Sequence, residues 1–155
     1  MRLLLRIVLF AGALALTTAI VAETWRSEAA TGPATIRITD RQTSFSRADV
    51  GPRGRSPGDV EISNSLVFNR RITPRALGHF EFICTYTVGI NRNCSGTIFL
   101  PRGKLMVGGT LRFRQFYELA IVGGTGLYNN ARGTLTVTRT GRKPARHLLF
   151  FRLAG

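Results

Sequence analysis

A chain of 155 residues is long enough for one domain with its own core and too short for two ordinary ones. Its 22 lysines and arginines against eight acidic residues give a formal net charge of +14, which predicts attraction to anionic surfaces such as cell-wall polymers and lipid headgroups. The basic residues are dispersed rather than gathered into a recognisable binding element, so specific nucleic-acid binding is not favoured.

The first segment predicts export. Arg2 and Arg6 precede an almost uncharged apolar run that ends near residue 22. The run is short for a membrane span and has small residues near its end, so a signal peptide over residues 1–22 is favoured over an uncleaved N-terminal anchor. Its removal would delete two arginines and no acid, which lowers the charge from +14 to +12. We therefore expect a secreted or periplasmic protein, with a spacer over residues 23–33 and one domain over residues 34–155.

After the spacer, apolar and polar residues alternate over short distances, which predicts strands and no helix. A long loop is predicted over residues 41–58, which hold three glycines and two prolines. The eight predicted strands are residues 35–39, 59–68, 76–88, 95–100, 104–113, 116–122, 133–140 and 146–153.

Eight short strands favour an all-β fold, a closed antiparallel eight-stranded barrel, because closure removes exposed sheet edges. An immunoglobulin-like sandwich is the alternative. It is disfavoured because Cys84 and Cys94 are too close in sequence to bridge two sheets, and the only tryptophan, Trp25, precedes the domain.

Asn64 is the first candidate binding residue. It alternates in step with Ile62 and Leu66, so an apolar strand face would bury its amide, and a buried amide needs a structural partner or a ligand oxygen. Upstream, Asp59 follows Pro57-Gly58 and is predicted to accept backbone hydrogen bonds at a strand start.

The next predicted strand carries a carboxylate and a histidine on the face opposite its phenylalanines. Glu81 lies between Phe80 and Phe82, so alternation points it away from them, and a surface or subunit contact is favoured over a site. His79 and His147 have no nucleophile beside them in the sequence and are interpreted as surface or packing residues.

The two cysteines, Cys84 and Cys94, flank a Gly/Asn turn between two predicted strands. A hairpin disulfide is favoured over a metal site, because two cysteines cannot complete a zinc shell and neither histidine is nearby in sequence. No metal and no cofactor is expected.

Three further residues are candidates for ligand binding. Tyr86 and Tyr128 would line or cover a cavity with a hydroxyl, although either is equally suited to the core. Glu118 precedes the glycine-rich segment, but alternation turns it away from Tyr117 and Leu119, so an ion pair with an arginine is the alternative. No catalytic residue is assigned.

Four glycines occur within residues 121–134. Gly123, Gly124 and Gly126 predict a tight structural corner between two strands. A phosphate-binding loop is the alternative, and it is disfavoured because no Lys-Ser or Lys-Thr follows and no helical pattern separates the segment from the next strand.

Five short motifs occur in order along most of the chain. They are Ser56-Pro57-Gly58-Asp59, Asn64-Ser65-Leu66, residues 77–84, residues 119–128 and Ala131-Arg132-Gly133. Their order, and above all the Gly-Gly-Thr-Gly corner with Ala-Arg-Gly behind it, resembles the allene oxide cyclase and dirigent protein superfamily over residues 34–153. The resemblance implies an eight-stranded barrel with a central apolar cavity, assembled as a trimer or a dimer.

The resemblance also carries expectations about the site. Allene oxide cyclases close a ring without a cofactor, with a carboxylate and an amide from the first strand. Arg37 and Thr39 take those positions here, so the resemblance implies that this chain lacks the carboxylate and the amide of that reaction. Asn64 matches a cavity asparagine and Cys84 a cavity cysteine, whose thiol a bond to Cys94 would remove. A related barrel rather than an allene oxide cyclase proper is therefore expected.

Two functions remain open at this point. The first is an exported barrel that binds a hydrophobic small molecule and guides its cyclisation or isomerisation by shape, as dirigent proteins steer the coupling of phenolic radicals. The second is a non-catalytic basic module that adheres to anionic cell-envelope polymers or lipids, which the high positive charge favours.

Overall fold

The computed structural model describes residues 33–154. These residues form eight strands and no helix, and therefore no helix with the length and apolar character that a membrane span requires. The predicted signal peptide and nearly all of the spacer lie outside the described residues. The strands are β1 (Ala34–Ala48), β2 (Val60–Phe68), β3 (Gly78–Tyr86), β4 (Arg92–Leu100), β5 (Gly103–Leu111), β6 (Phe116–Gly126), β7 (Arg132–Arg142) and β8 (Ala145–Ala154).

The strands close into one barrel in sequence order. Each strand pairs antiparallel with the next, and β8 returns to pair with β1, so no edge within the sheet is left unpaired. The predicted fold class is confirmed. Short hairpin connections suffice for this topology, which is why the chain needs no crossover helix.

The two ends of the barrel differ in what fills them. At one end, here called the packed end, β2, β4, β6 and β8 finish, and apolar side chains fill the interior. Those side chains include Val67, Phe80, Ile98, Leu105, Leu135 and Phe151, all buried. At the other end, here called the cavity end, β1, β3, β5 and β7 finish and polar side chains enter the interior.

The first strand is longer than its sequence predicted. The loop expected over residues 41–58 is wrong for residues 41–48, which continue β1 and pair with β2 as far as Ala48 opposite Val60. The register shifts between Gln42 and Ser44, which marks a bulge. This half of β1 has few apolar residues because it borders the polar cavity end, so it lacks the alternation by which strands are recognised.

The glycine-rich segment forms the end of β6 and the turn into β7. Residues 123, 124 and 126 are the last part of β6, and the reversal itself is residues 127–131. Gly126 has a φ of +62°, and a Cβ there would lie 2.5 Å from the carbonyl oxygen of Arg102. The corner is therefore a close approach of two hairpin turns at the packed end, which only glycine permits.

The predicted hairpin disulfide is present. Cys84 on β3 and Cys94 on β4 are direct cross-strand partners, with a Cα–Cα distance of 4.0 Å and an S–S distance of 2.06 Å. Both half-cystines are buried in the barrel interior, so neither provides a thiol.

Candidate functional site

An internal cavity of about 260 Å³ occupies the cavity end of the barrel. Its wall combines aromatic and aliphatic surface with ionisable groups, and residues from all eight strands contribute. The lining residues include Gln42, Phe45, Glu61, Ser63, Phe82, Cys84, Arg92, Leu111, Arg114, Tyr117, Arg139, Ala145 and His147.

A buried carboxylate, Glu61, organises one side of this cavity. Its Oε1 accepts a hydrogen bond from the Tyr86 hydroxyl at 2.9 Å, and its Oε2 accepts one from Arg92 Nη1 at 3.0 Å. Arg114 also donates to Oε1, and it donates to the Tyr86 hydroxyl oxygen at 3.0 Å. One acid is thus held between two arginines and a phenol.

The charge state of Glu61 follows from these contacts. Burial alone would raise its pKa, but the hydrogen bond from Tyr86 and the charges of Arg114 and Arg92 together hold the pKa below its ordinary value. Glu61 is therefore ionised at neutral pH. Its partners are satisfied within the protein, so we interpret it as a support for the cavity wall rather than as a proton-transfer group.

A second carboxylate, Asp40 of β1, holds His147 of β8. The two residues are cross-strand partners, and Asp40 Oδ1 lies 2.8 Å from both the backbone nitrogen and the Nδ1 atom of His147. Asp40 is buried, whereas the His147 ring lines the cavity. A carboxylate at Nδ1 orients the ring and leaves Nε2 as the nitrogen available to a ligand.

Tyr117 of β6 contributes a phenol to the same cavity. Burial and the negative charge of Asp40 raise its pKa above the ordinary value, even though Arg92 acts in the other direction. The phenol therefore stays protonated. Because Tyr117 lines the cavity, its hydroxyl is placed to donate a hydrogen bond to a bound molecule.

The inward side chains of β1 differ from those expected. Gln42 lines the cavity, whereas Asp40 is buried and contacts the cavity-lining residue His147. Arg37 and Thr39 lie on the other side of the strand, where Arg37 covers the Phe150 ring and Thr39 donates to the backbone of Asn69. Neither Arg37 nor Thr39 lines the cavity.

Two of the predicted ligand-binding residues lie on the outside of the barrel. Asn64 is exposed and donates to Ser44 Oγ at 3.0 Å, because the β2 face that it shares with Ile62 points outward. Glu118 is also exposed, and it accepts hydrogen bonds from Thr136 and Arg152. The structure brings neither residue to the cavity, and the arginine ion pair considered for Glu118 is present.

The other two predicted residues are divided between the ends of the barrel. Tyr86 is buried at the cavity end, where it belongs to the Glu61 cluster. Tyr128 packs against the apolar core from the β6–β7 turn, at the packed end. Glu81 is exposed beside His79, at 3.5 Å, as its alternation with Phe80 indicated.

His147, which the sequence analysis interprets as a surface or packing residue, lines the cavity, and so does Cys84. The other cavity residues have no role in the sequence predictions, although part of the signal is present. Glu61 alternates with Ser63 and Ser65, and this polar face of β2 is the inward one. A buried Asn64 requires the face with Ile62 and Leu66 to point inward, whereas Ile62 and Asn64 are exposed. No sequence pattern connects Asp40 with His147, which is 107 residues away.

The described residues contain no group of three or more His, Cys, Asp or Glu side chains that could hold a metal ion. The polar side chains that line the cavity carry amide, hydroxyl, phenol, imidazole, carboxylate and guanidinium groups.

No protein-family model matches this chain, and no curated protein matches it either. Solved structures do match. Pyocyanin demethylase is 24% identical, with a TM-score of 0.65, and the match covers 75% of this chain and 98% of that one.

Two further matches have lower identity. The pterocarpan synthase dirigent protein GePTS1 is 15% identical, with a TM-score of 0.61 and coverage of 79% of this chain and 89% of that one. The Diels-Alderase AbmU from Streptomyces koyangensis is 16% identical, with a TM-score of 0.63 and coverage of 78% and 63%. These likenesses, together with the closed eight-stranded topology, show that the chain has the allene oxide cyclase/dirigent-like barrel fold.

Proposed function

We propose that this protein binds a hydrophobic small molecule inside the barrel and guides its cyclisation or isomerisation without a cofactor. The observation that carries the proposal is the internal cavity of about 260 Å³, in which apolar wall and two ligand-facing polar groups, Tyr117 and His147, come together. Fold alone does not assign an activity. The dirigent protein and the Diels-Alderase among the matched structures support this reaction class for a barrel of this kind.

The shape of the cavity would supply the first part of the rate enhancement. Phe82, Leu111 and the Cys84–Cys94 disulfide give one rigid apolar wall, held by three adjacent strands. A flexible ligand pressed against such a wall loses conformational freedom before reaction. Because the bound ligand has already lost this freedom, less entropy is lost on reaching the transition state than in the uncatalysed reaction.

The polar groups would supply the second part. His147 Nε2 accepts a proton from the ligand while Asp40 holds Nδ1, and the Tyr117 hydroxyl donates to a ligand oxygen on which negative charge develops. In a ring closure or isomerisation the proton returns to another atom of the same molecule. All atoms of the ligand are retained, and no external oxidant or reductant is consumed.

Native mass spectrometry of the protein purified from its source tests this proposal. The expected result is a co-purified apolar molecule, and binding of the neutral fluorescent probe N-phenyl-1-naphthylamine once per barrel after that molecule is removed. Ser63→Trp should abolish probe binding because it fills the cavity, whereas Ser46→Trp, on the exposed face of β1, should not. Equal binding to both folded variants would contradict the proposal.

A second candidate function is adhesion to anionic polymers or lipids of the cell envelope. The four most exposed large apolar side chains of residues 33–154 all lie at the cavity end, where the β1–β2 and β5–β6 loops also carry arginines; they are Val50, Val88, Phe113 and Phe116. Such a surface suits a lipid interface. Binding to anionic liposomes should then weaken steeply with added salt, and undetectable or salt-independent binding would contradict it.

Export and assembly belong to the same proposal. The apolar segment before residue 23 and the disulfide support an extracytoplasmic location.

On the outside of the barrel, a groove that includes Ile62, Ile83, Met106 and Val122 supports assembly into a dimer or trimer. The same native spectra count the subunits, and a monomer at all concentrations would contradict assembly.

A further inference from the structure

A second space of about 620 Å³, here called the mouth, lies at the cavity end of the barrel. It is bounded by the β1–β2, β3–β4 and β5–β6 loops. Arg92 and Arg114 line both the mouth and the internal cavity, so the two spaces adjoin. The mouth combines positive charge with apolar surface, contributed mainly by Arg55, Arg92, Arg112, Arg114, Phe113 and Phe116.

The positive charge of the mouth is not balanced by acids of the protein. No acidic side chain lines it. Glu61, which lies behind it in the internal cavity, already binds both Arg92 and Arg114. Two arginines and one carboxylate leave a net positive charge at the boundary between the two spaces.

Arg55 and Arg112 add to this charge without any carboxylate partner among residues 33–154. Every acidic side chain in that part of the chain forms an ion pair with a residue other than these two arginines. The partners are His147, Arg47, His79 and Arg152, together with Arg92 and Arg114, which pair with Glu61. Arg112 instead lies over the Phe113 ring at 5.6 Å. A guanidinium fork that is already stacked on an aromatic ring is well placed to bind a carboxylate, sulfonate or phosphate group.

We propose that the ligand of this barrel is an amphipathic anion, with its charged group in the mouth and its apolar body in the internal cavity. This inference rests on the proposed function and narrows the ligand class. Arg55 and Arg112 bind the anionic group, and Phe113 and Phe116 cover the part of the apolar body that lies between the two spaces. Glu61 keeps Arg92 and Arg114 fixed at the boundary between them.

The test uses two fluorescent probes with the same aromatic body. 1-Anilinonaphthalene-8-sulfonate carries a sulfonate group, and N-phenyl-1-naphthylamine does not. Wild-type protein should bind the sulfonate at least about tenfold more tightly, because charge-assisted hydrogen bonds discriminate by that amount. The double variant Arg55→Gln/Arg112→Gln should lose most of this preference and should bind the neutral probe as wild type does.

The matched control is Arg70→Gln/Arg75→Gln, which removes the same charge from the exposed β2–β3 loop at the packed end. It should keep the preference for the sulfonate. An equal loss in both double variants would overturn the inference, because a general charge effect would then explain the binding.

Other results separate this inference from the function on which it rests. Equal affinity of wild type for the two probes would overturn the anionic ligand class and leave the apolar cavity intact. Failure of the neutral probe to bind would overturn the proposed function together with the inference. A mouth variant that loses binding to anionic liposomes but keeps its preference for the sulfonate probe would assign Arg55 and Arg112 to a lipid surface, which also overturns the inference.

Discussion

At the scale of single residues, Glu61 determines the electrostatics of the barrel interior. Its carboxylate is 6% exposed and joins two arginines to the Tyr86 hydroxyl. Without it, two guanidinium groups would face each other across a small volume with no anion between them. We therefore expect the stability of the cavity wall to depend on this acid.

We expect Glu61→Ala to lower the free energy of unfolding by about 3–5 kcal/mol, because removing one member of a buried charge cluster leaves its partners unpaired. Chemical denaturation followed by circular dichroism measures the change. Glu81→Ala is the control, since it breaks only an exposed contact with His79 and should cost less than about 1 kcal/mol. Similar losses in the two variants would contradict the role given to Glu61.

Asp59 confers a pH dependence on stability. It accepts hydrogen bonds from the backbone nitrogens of Ser56 and Val50 and from Arg47, and these interactions lower its pKa far below the ordinary value. A depressed carboxyl pKa gives stability above the unfolded pKa, about 3.9, that is lost as the pH falls toward the folded value.

The melting temperature of the wild type should therefore fall more steeply below about pH 4 than that of Asp59→Asn, whose side chain does not titrate. Asp49→Asn provides the control, because Asp49 is exposed and lies 3.9 Å from the same arginine. It should keep the acid sensitivity of the wild type. Parallel curves for wild type and Asp59→Asn would refute the assignment.

At the scale of elements, the end of β6 depends on a close contact between turns. Gly126 has a φ of +62° and faces the Arg102 carbonyl, whereas Gly89 has a φ of +60° and has open space at its Cβ position. Both positions strain a side chain through the backbone, but only Gly126 adds a collision.

Gly126→Ala should thus lose more free energy of unfolding than Gly89→Ala, by about 1–3 kcal/mol. The comparison isolates the contact because the two backbone conformations are nearly the same. Equal losses measured by thermal or chemical denaturation would show that the turns separate freely at the packed end.

The β3–β4 hairpin is the element that the disulfide constrains. Cys84 and Cys94 close a short loop, and restriction of the unfolded chain by such a loop is worth about 2–3 kcal/mol. Cys84→Ser/Cys94→Ser should lose that amount, as should the wild type in a strong reductant. The reductant should leave the double variant unchanged, and a further loss there would exclude the disulfide as the cause.

At the scale of the whole molecule, the apolar N-terminal segment and the disulfide both predict that the protein is exported. We expect protein isolated from its source to begin at Glu23 and to contain no free thiol. Intact mass spectrometry reads both, since cleavage removes residues 1–22 and the bond removes two hydrogens. A chain that retains its first residues in the cytoplasm with two free thiols would contradict export.

Strand content and barrel class could be predicted from the sequence because alternation is a local record of burial. Each strand that borders the apolar core has this record, and the hairpin of Cys84 and Cys94 was recognised for the same reason. The second half of β1 was missed because its neighbours in the barrel are polar. This half of β1 is a strand because it pairs with β2, and its own composition does not indicate that pairing.

The sequence by itself determined the number of strands, the approximate limits of all but β1, the disulfide and the glycine-rich corner, because each depends on residues close together in the chain. Only the tertiary structure decided which face of each strand points inward. Alternation marks two faces but does not say which is inside when both carry polar groups, as β2 shows with Glu61 and Asn64. Barrel closure decided the rest, because the register of β8 on β1 brings His147 to Asp40.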